Sequence, residues 1–237
     1  AYGYSKTMKQ AKIDYPDELA GLQATVFDGD VKGYKVIGTF ADEADIELSP
    51  KQVFGKVYPG DLKYEDTNND GVVNSADRTI IANTTPHIQY GVSINLEWKG
   101  FNLDVLGYGL AGYDQMLTTK YYQIYDGRKY STVLNTGLPN GNPHPVLRAD
   151  DSNNNFIASD YWKVDGGFFK LRNLEFGYTL PHSASKKIGL NSLKIFFRGA
   201  NLFTISKIKD LDPENLDAGV GNFPLATTLT GGLSFTF

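Results

Sequence analysis

The feature that most constrains the fold is an eleven-residue stretch, 88–98, in which apolar and polar residues alternate without an error. A period of two residues is that of a β-strand, whose successive side chains point to opposite faces. Eleven residues is also close to the length of a tilted strand that crosses a lipid bilayer. The apolar positions are Ile88, Tyr90, Val92, Ile94, Leu96 and Trp98. The stretch predicts a strand with one apolar and one polar face.

A tight turn is predicted directly after this strand, at Lys99-Gly100, because glycine readily adopts the positive φ of a two-residue hairpin loop. Phe101, Leu103 and Val105 continue the alternation beyond the turn. Trp98 and Phe101 flank the turn, where the interfacial aromatic girdle of a membrane barrel would lie. The segment is therefore expected to form a β-hairpin.

A second hairpin is predicted nearer the C-terminus. Residues 173–180 alternate, Pro181 ends that strand, and 182–190 is a short polar connection. The alternation is less regular at 170–172 and at 193–198, so a β-bulge is expected at either place.

The last stretch, Leu229 to Phe237, also alternates up to the final residue. Chain ends usually fray, so a patterned end indicates a strand held in a sheet. Two interpretations fit: the edge strand of a sandwich, or the closing strand of an outer-membrane barrel. In the second, Phe235 and Phe237 would form the barrel-assembly signal.

Composition excludes several classes of protein. The net charge is −4 with 21% charged residues, so no basic field indicates nucleic acid binding. Cysteine is absent and the three histidines are far apart, which argues against thiol nucleophiles and histidine metal sites. No apolar run reaches the roughly 18 residues of a membrane helix. The sequence contains no nucleophile elbow or phosphate loop, so no enzyme activity is predicted.

The chain opens AYGYSK without a signal peptide and is expected to begin inside a longer protein.

The connections between the predicted strands alternate strictly between long and short. Six strands are expected near 1–14, 86–98, 101–113, 167–181, 191–206 and 224–237. Outer-membrane barrels have short periplasmic turns and long extracellular loops, which predicts extracellular loops at about 15–85, 114–165 and 207–223. Six tilted strands cannot close a barrel, since the smallest natural ones have about eight. The chain is therefore expected to be part of a larger protein.

One motif resembles a metal site. Residues 66–77 (DTNNDGVVNSAD) fit the calcium-loop pattern D-x-[DN]-x-[DN]-G with a carboxylate at its twelfth position. The ligands would be the side chains of Asp66, Asn68, Asp70 and Asp77, the carbonyl of Val72, and Asn74 directly or through water. Such a loop would hold structural Ca²⁺ and would not be catalytic. The alternative is an Asp/Asn-rich loop whose side chains cap their own backbone.

An aromatic cluster in the second long loop is the candidate for contact with a ligand or partner, because Tyr and Trp are favoured at recognition surfaces. Its members are Tyr121, Tyr122, Tyr125, Tyr130 and, further along, Trp162. The alternative is that these rings pack the loop upon itself.

Four blocks of the sequence resemble the C-terminal part of SusC/RagA-family TonB-dependent outer-membrane transporters. They are PGDLKYEDTNNDGVVNSADRTII (59–81), the hairpin 86–112, SDYWKVDGGFFKLRNLEFGYTLP (159–181), and 193–214 leading to the terminal SFTF. GYKVIGTFADEADI (33–46) fits the family's usual lead-in. The order of the blocks is also that of the family.

The resemblance implies that the chain supplies the last six antiparallel strands of a plugged transmembrane barrel of about 22 strands. The signal peptide, plug domain and other strands would lie outside this sequence. It implies import of oligosaccharides or peptides across the outer membrane of a Bacteroidetes-type Gram-negative bacterium. The implied partners are a SusD-like surface lipoprotein, the TonB complex, outer-membrane lipid and a second copy of the transporter–lipoprotein pair. The competing interpretation is a soluble or surface calcium-dependent glycan-binding β-sandwich.

Overall fold

The computed structural model describes residues 2–4, 29–119, 121–123, 138–146, 154–216 and 225–237. The strands are β1 (Tyr2–Tyr4), β2 (Asp30–Gly33), β3 (Val36–Thr39), β4 (Lys51–Gln52), β5 (Leu62–Tyr64), β6 (Val72–Val73), β7 (Thr79–Asn83), β8 (Ile88–Trp98), β9 (Phe101–Ala111), β10 (Asp114–Met116), β11 (Lys163–Asp165), β12 (Phe168–Thr179), β13 (Ser192–Ser206) and β14 (Thr228–Thr236). The main feature is a six-stranded antiparallel sheet in the order β1-β8-β9-β12-β13-β14. The six strands occur in the same order in the sheet as in the chain.

Helical structure is short. The α-helices are α1 (Glu43–Leu48) and α2 (His182–Lys187), and 3₁₀ turns occur at Ser75–Asp77, Asn154–Phe156 and Asp160–Trp162. No helix in the described ranges has the length and apolar character needed to cross a membrane.

The register of the sheet sorts its side chains onto two faces. Ile94 lies opposite Val105, which lies opposite Leu174. One residue along, Asn95 lies opposite Asp104, which lies opposite Glu175. We name these the apolar face and the polar face. The predicted alternation is therefore continuous from strand to strand.

The apolar face is exposed, whereas a soluble sheet would bury it. Ile94 is 42% exposed, Leu96 57% and Phe197 51%. Phe168 is the one hydrophobic residue of the six-stranded sheet that is buried among the described residues. The hydrophobic core lies elsewhere in the molecule.

Three long connections leave the same end of the sheet and contain that core. The first connection (5–87) joins β1 to β8, the second (112–167) joins β9 to β12, and the third (207–227) joins β13 to β14. One buried cluster lies within the first connection and consists of Tyr34, Leu62, Tyr64 and Val73. A second cluster joins the other two connections and consists of Leu117, Tyr122, Leu138, Trp162, Val164, Ile208 and Leu216. Tyr161 packs against both clusters.

The predicted strand order and the alternation of long and short connections are confirmed. The turn at Lys99-Gly100 has φ of 47° and 87°, as a two-residue hairpin loop requires, and helix α2 occupies most of the second short connection. The predicted bulge at 170–172 is confirmed by a register shift between Leu171 and Asn173. The alternative place, 193–198, was wrong: that stretch pairs regularly with both neighbouring strands. Its uneven pattern comes from Phe196 on the polar face, where the ring fills the space above Gly232.

Two glycines on β9 provide space for aromatic rings on the apolar face. A Cβ on Gly109 would lie 2.2 Å from the carbonyl oxygen of Phe168 and 2.5 Å from the Tyr90 ring. A Cβ on Gly107 would lie 2.6 Å from the Phe169 ring. The Tyr90 and Phe169 rings stack with their centroids 6.2 Å apart. Glycine at these positions lets the rings lie against the backbone.

We predict that Gly109→Ala destabilises the six-stranded sheet. The added methyl group meets backbone on one side and a ring on the other, and overpacking of this kind costs about 1–3 kcal/mol. The measurement is the unfolding temperature of the complete protein in detergent, followed by the gel shift between its folded and unfolded forms.

Gly91→Ala is the matched control for this prediction, because the nearest atom to its added methyl is the Gly107 carbonyl oxygen at 3.7 Å. It should unfold close to the wild-type temperature. Equal unfolding temperatures for the two variants would show that the close contact of the Tyr90 ring with Gly109 does not contribute to stability.

Candidate functional site

The calcium-like loop, 66–77, lies between β5 and β7 in the first connection. Asn69 has φ of 59° and Gly71 has φ of 84°, so the chain reverses through the left-handed region. β6, which begins inside the loop, pairs in parallel with β4. The flanking elements are strands and a 3₁₀ turn, so the loop is not framed by the two helices of an EF-hand.

The acidic and amide side chains of this loop accept hydrogen bonds from its own backbone. Asp66 accepts from the backbone N–H of Gly71 at 2.8 Å, and Asp70 accepts from that of Val72 at 2.8 Å. Asn68 accepts from the N–H of Asp70 at 3.0 Å. The side chains therefore stabilise the turn directly.

Asp77 is the most strongly held acid of the loop. It is fully buried, and its two oxygens accept from the N–H groups of Thr67 and Asn74, each at 2.8 Å. Asn74 caps the following 3₁₀ turn by accepting from the N–H of Ala76 at 2.8 Å. Burial raises the pKa of the Asp77 carboxyl, but the backbone hydrogen bonds from Asn74 and Thr67 outweigh burial and hold the pKa below its usual value.

These hydrogen bonds favour the self-capping interpretation of the loop. Across the described parts of the chain, no three His, Asp or Glu side chains are grouped so that they could hold a metal ion. The six positions predicted to bind calcium lie around one turn, yet the carboxylates point to backbone N–H groups. Calcium binding stays a prediction.

The aromatic candidates divide into two groups. Trp162 is fully buried, and its Nε1 donates to the carbonyl oxygen of Asn155 at 2.9 Å. Tyr122 is 2% exposed and its ring lies 4.9 Å from that of the half-buried Tyr121. For Trp162 and Tyr122 this burial favours the second interpretation, packing of the connections. Tyr125 and Tyr130 lie outside the described residues.

A buried polar network that the sequence pattern does not predict joins the first and second connections. The Asn154 side chain accepts from Gln52 at 2.7 Å and donates to the carbonyl oxygen of Leu62 at 2.9 Å. Asn155 accepts from the N–H of Leu62 at 2.8 Å and donates to Asp61 at 2.9 Å. All of these side chains are buried, so each hydrogen bond replaces one to water. The run 152–155 (SNNN) looked like an exposed loop in sequence.

The polar face of the sheet contains its own ion pairs. Glu175 accepts from Lys194 at 2.8 Å and from Arg198 at 2.5 Å. Asn95 donates to Asp104 at 2.5 Å across the β8–β9 pair. Charged groups on one face and aliphatic groups on the other give the sheet two chemically different environments.

The terminal aromatic residues lie at the opposite end of the sheet from the long connections. Phe235 lies opposite Leu193 on the apolar face and is 54% exposed. Phe237 follows the strand, is 81% exposed and has its ring 5.5 Å from that of Phe235. Their role as an assembly signal stays a prediction.

Comparison with known proteins gives consistent sequence and structural matches. No family model matches the chain. It is 26% identical over 228 residues to TonB-dependent receptor P3 of Formosa agariphila, a match that covers 88% of this chain and 22% of the relative. It is 26% identical over 203 residues to TonB-dependent receptor SusC of Bacteroides thetaiotaomicron, covering 78% of this chain and 19% of the relative.

Solved structures share the fold. A structure of the RagAB peptide importer in the open-open state matches with a TM-score of 0.60 at 19% identity, covering 90% of this chain and 23% of the matched chain. A second structure, of the RagAB peptide transporter, matches with a TM-score of 0.59 at 19% identity, covering 88% of this chain and 22% of the matched chain. The chain thus spans about a fifth of the length of these relatives. The sequence matches support the interpretation of the chain as a segment of a SusC/RagA-type TonB-dependent receptor, and the solved structures share its antiparallel sheet.

Proposed function

We propose that this chain forms part of the barrel wall of an outer-membrane importer that takes up nutrients with energy from the TonB complex. The matched sequences are named as TonB-dependent receptors, and none is named as an enzyme. The proposal extends to the whole protein what is seen in about a fifth of its relatives' length. It rests on the following properties of the sheet.

The exposed apolar face is the observation that carries the proposal. Ile94, Leu96 and Phe197 lie on the middle strands of an ordered sheet, yet each is 42–57% exposed. Exposed apolar patches of this extent mark contact with a membrane or another protein. Lipid satisfies such a face, while the polar face lines the interior, as in outer-membrane barrels.

The spacing of aromatic residues fits the thickness of a membrane. Trp98, Phe101 and Tyr178 lie together at the end of the sheet with the short turns, and the Phe101 and Tyr178 rings are 4.5 Å apart. Tyr90 and Phe169 lie near the other end. The eight residue steps from Tyr90 to Trp98 span about 27 Å along the strand. At a tilt of about 40° this becomes about 21 Å along the membrane normal, close to the apolar band of such barrels.

The two ends of the sheet suggest the orientation of the chain in the membrane. We place the three long connections outside the cell and the short connections in the periplasm. The long connections contain the predicted extracellular loops at about 15–85, 114–165 and 207–223. Long extracellular loops and short periplasmic turns support this orientation. Phe235 and Phe237 would then lie at the periplasmic side, where the assembly machinery would recognise them.

The alternative function, a soluble or surface calcium-dependent glycan-binding sandwich, requires a second sheet packed on the apolar face. In the residues described, the other sheets are two-stranded and belong to the long connections. The apolar face remains exposed. A membrane barrel explains these facts better than a sandwich.

Cargo and partners follow from the resemblance. RagAB is named as a peptide importer, and for this chain we propose oligosaccharides or peptides as the cargo. A SusD-like surface lipoprotein would cover the long connections, with the pair assembling as a dimer. The TonB complex would act through a part of the protein outside this chain.

We predict that Ile94→Arg destabilises the full-length receptor in lipid vesicles by about 2–4 kcal/mol, the usual effect of a cation on the lipid face at the bilayer midplane. Ile94 lies midway between Tyr90 and Trp98 on the apolar face. The measurement is the free energy of unfolding in urea, followed by tryptophan fluorescence.

The control is Asn95→Arg, one residue away on the polar face and opposite Asp104. This change should cost much less, because the new guanidinium faces the interior and an acid. If Asn95→Arg destabilised the receptor as much as Ile94→Arg, the apolar face would not be the lipid face.

We also propose that the 66–77 loop binds structural Ca²⁺ and shapes the contact with the lipoprotein. The sequence pattern supports calcium, and the hydrogen bonds of Asp66 and Asp70 support ordering by the side chains themselves. The variant Asp66→Ala/Asp70→Ala should lower the hydrogen-exchange protection of 66–77 and weaken co-purification of the lipoprotein. Ser75→Ala, an exposed change in the same loop, should leave both unchanged.

Calcium is tested with the chelator-treated receptor. Added Ca²⁺ should raise the protection of 66–77 in the wild type and not in the double variant. If protection of the wild type does not respond to Ca²⁺, self-capping alone accounts for the loop. If the double variant keeps both its protection and its lipoprotein, the loop has neither role.

A further inference from the structure

Two cations on β12 lie where the third connection meets the polar face. Lys170 lies opposite Tyr108 of β9, on the polar face. Arg172 is the unpaired residue of the register shift between Leu171 and Asn173. Its guanidinium lies 4.9 Å from the centroid of the Tyr108 ring, with Nη2 2.8 Å from the Tyr108 hydroxyl. The bulge therefore directs a second cation to the same side as Lys170.

Both cations are paired with acids of the third connection. The Lys170 ammonium donates to Asp212 at 2.5 Å and to Glu214 at 2.8 Å. Arg172 donates to both oxygens of Glu214, each at 3.0 Å. Lys170 is only 5% exposed. A buried ammonium is expensive to leave unpaired, so this pairing is strongly favoured once the strand has folded.

Neutral contacts hold the same short segment, 212–214, from the second connection. The Gln115 side chain donates to the carbonyl oxygen of Pro213 at 2.6 Å. Ile208 and Leu216, on either side of the segment, are 2% and 4% exposed in the cluster that contains Trp162. The segment 212–214 is thus held by ion pairs to Lys170 and Arg172, and the residues on either side of it are held by apolar burial.

We propose that Lys170 and Arg172 are positioning residues that fix residues 207–216 of the third connection against the polar face of the barrel wall. These ten residues then form a constant part of the wall at the mouth. The description of this place as the mouth rests on the proposed function. The ion pairs themselves do not depend on it.

The test is hydrogen exchange of the full-length receptor in detergent, read on the peptides that cover 207–216. Arg172→Glu places a carboxylate beside Glu214 and should raise exchange there by about tenfold, since hydrogen bonds to charged groups are among the stronger ones. Arg172→Lys, which keeps a cation beside Glu214 and leaves the Lys170 pairs intact, should keep exchange near the wild-type level. The difference between Arg172→Glu and Arg172→Lys separates positioning by charge from loss of packing.

Arg198→Glu is the matched control. Arg198 pairs with Glu175 at 2.5 Å on the same polar face, but both partners belong to strands. Its exchange at 207–216 should equal the wild type. Should Arg172→Glu fail to fold, as judged by the gel shift, Lys170→Met provides the same readout by leaving Asp212 and Glu214 without their shared cation.

Unchanged exchange at 207–216 in the folded Arg172→Glu variant, or an equal rise in Arg172→Lys, would overturn the proposal. A rise of equal size in Arg198→Glu would also overturn it, because the effect would then be a general loosening of the wall. The readout needs neither cargo nor lipoprotein. A failure here is therefore distinguishable from a failure of the proposed import function.

Discussion

Backbone pairing between consecutive antiparallel strands is the constraint on which the rest of the structure depends. The strands of the main sheet pair in the order in which they occur along the chain, and their pairing carries the two-residue period from β8 to β14. The aliphatic residues then share a face that is not covered by protein in the described residues. Burial of this face within the described residues does not hold the sheet, so the hydrogen-bonded ladder must do so, and in the proposed membrane barrel lipid would cover the face. A soluble protein would have placed its core beneath the sheet.

The long connections consequently need a core of their own. They obtain it from two clusters of buried apolar side chains, which meet at Tyr161, and from amide networks that cross between connections. Asn154 and Asn155 satisfy buried backbone groups of Leu62, which lies 92 and 93 residues away in sequence, as apolar side chains could not do. Gln52 joins the same network by donating to the Asn154 side chain. Apolar burial thus supplies the stability of this region, and the amides fix which connection lies against which.

Sequence periodicity predicts the sheet well because the alternation that defines a strand's two faces can be read from neighbouring residues alone. The strands at 88–98 and 101–111 follow from alternation and one glycine turn. The connections are different, since their partners are distant in the chain: nothing near Asn155 indicates that it will bind Asp61. The sequence also leaves two interpretations open for Trp162, which is buried in the structure. An aromatic residue in a loop has the same sequence pattern whether it packs within the protein or binds a ligand. The calcium pattern of 66–77 has the same ambiguity, since one set of oxygens suits either a cation or backbone N–H groups.

Irregularities in strand pairing are concentrated at the end of the sheet with the long connections. From the short turns to the middle of the sheet, pairing of β9, β12 and β13 is unbroken. Beyond that point β12 bulges at Arg172, and β13 passes through Asn201, which has φ of 52°. Both irregular residues contact the third connection: Arg172 donates to Glu214, and the carbonyl of Asn201 accepts from Thr227 at 2.8 Å. A strand with perfect alternation offers only two directions for its side chains, one on each face of the sheet. A bulge adds a further direction, which allows the sheet to hold a loop while the rest of the strand keeps its apolar and polar faces.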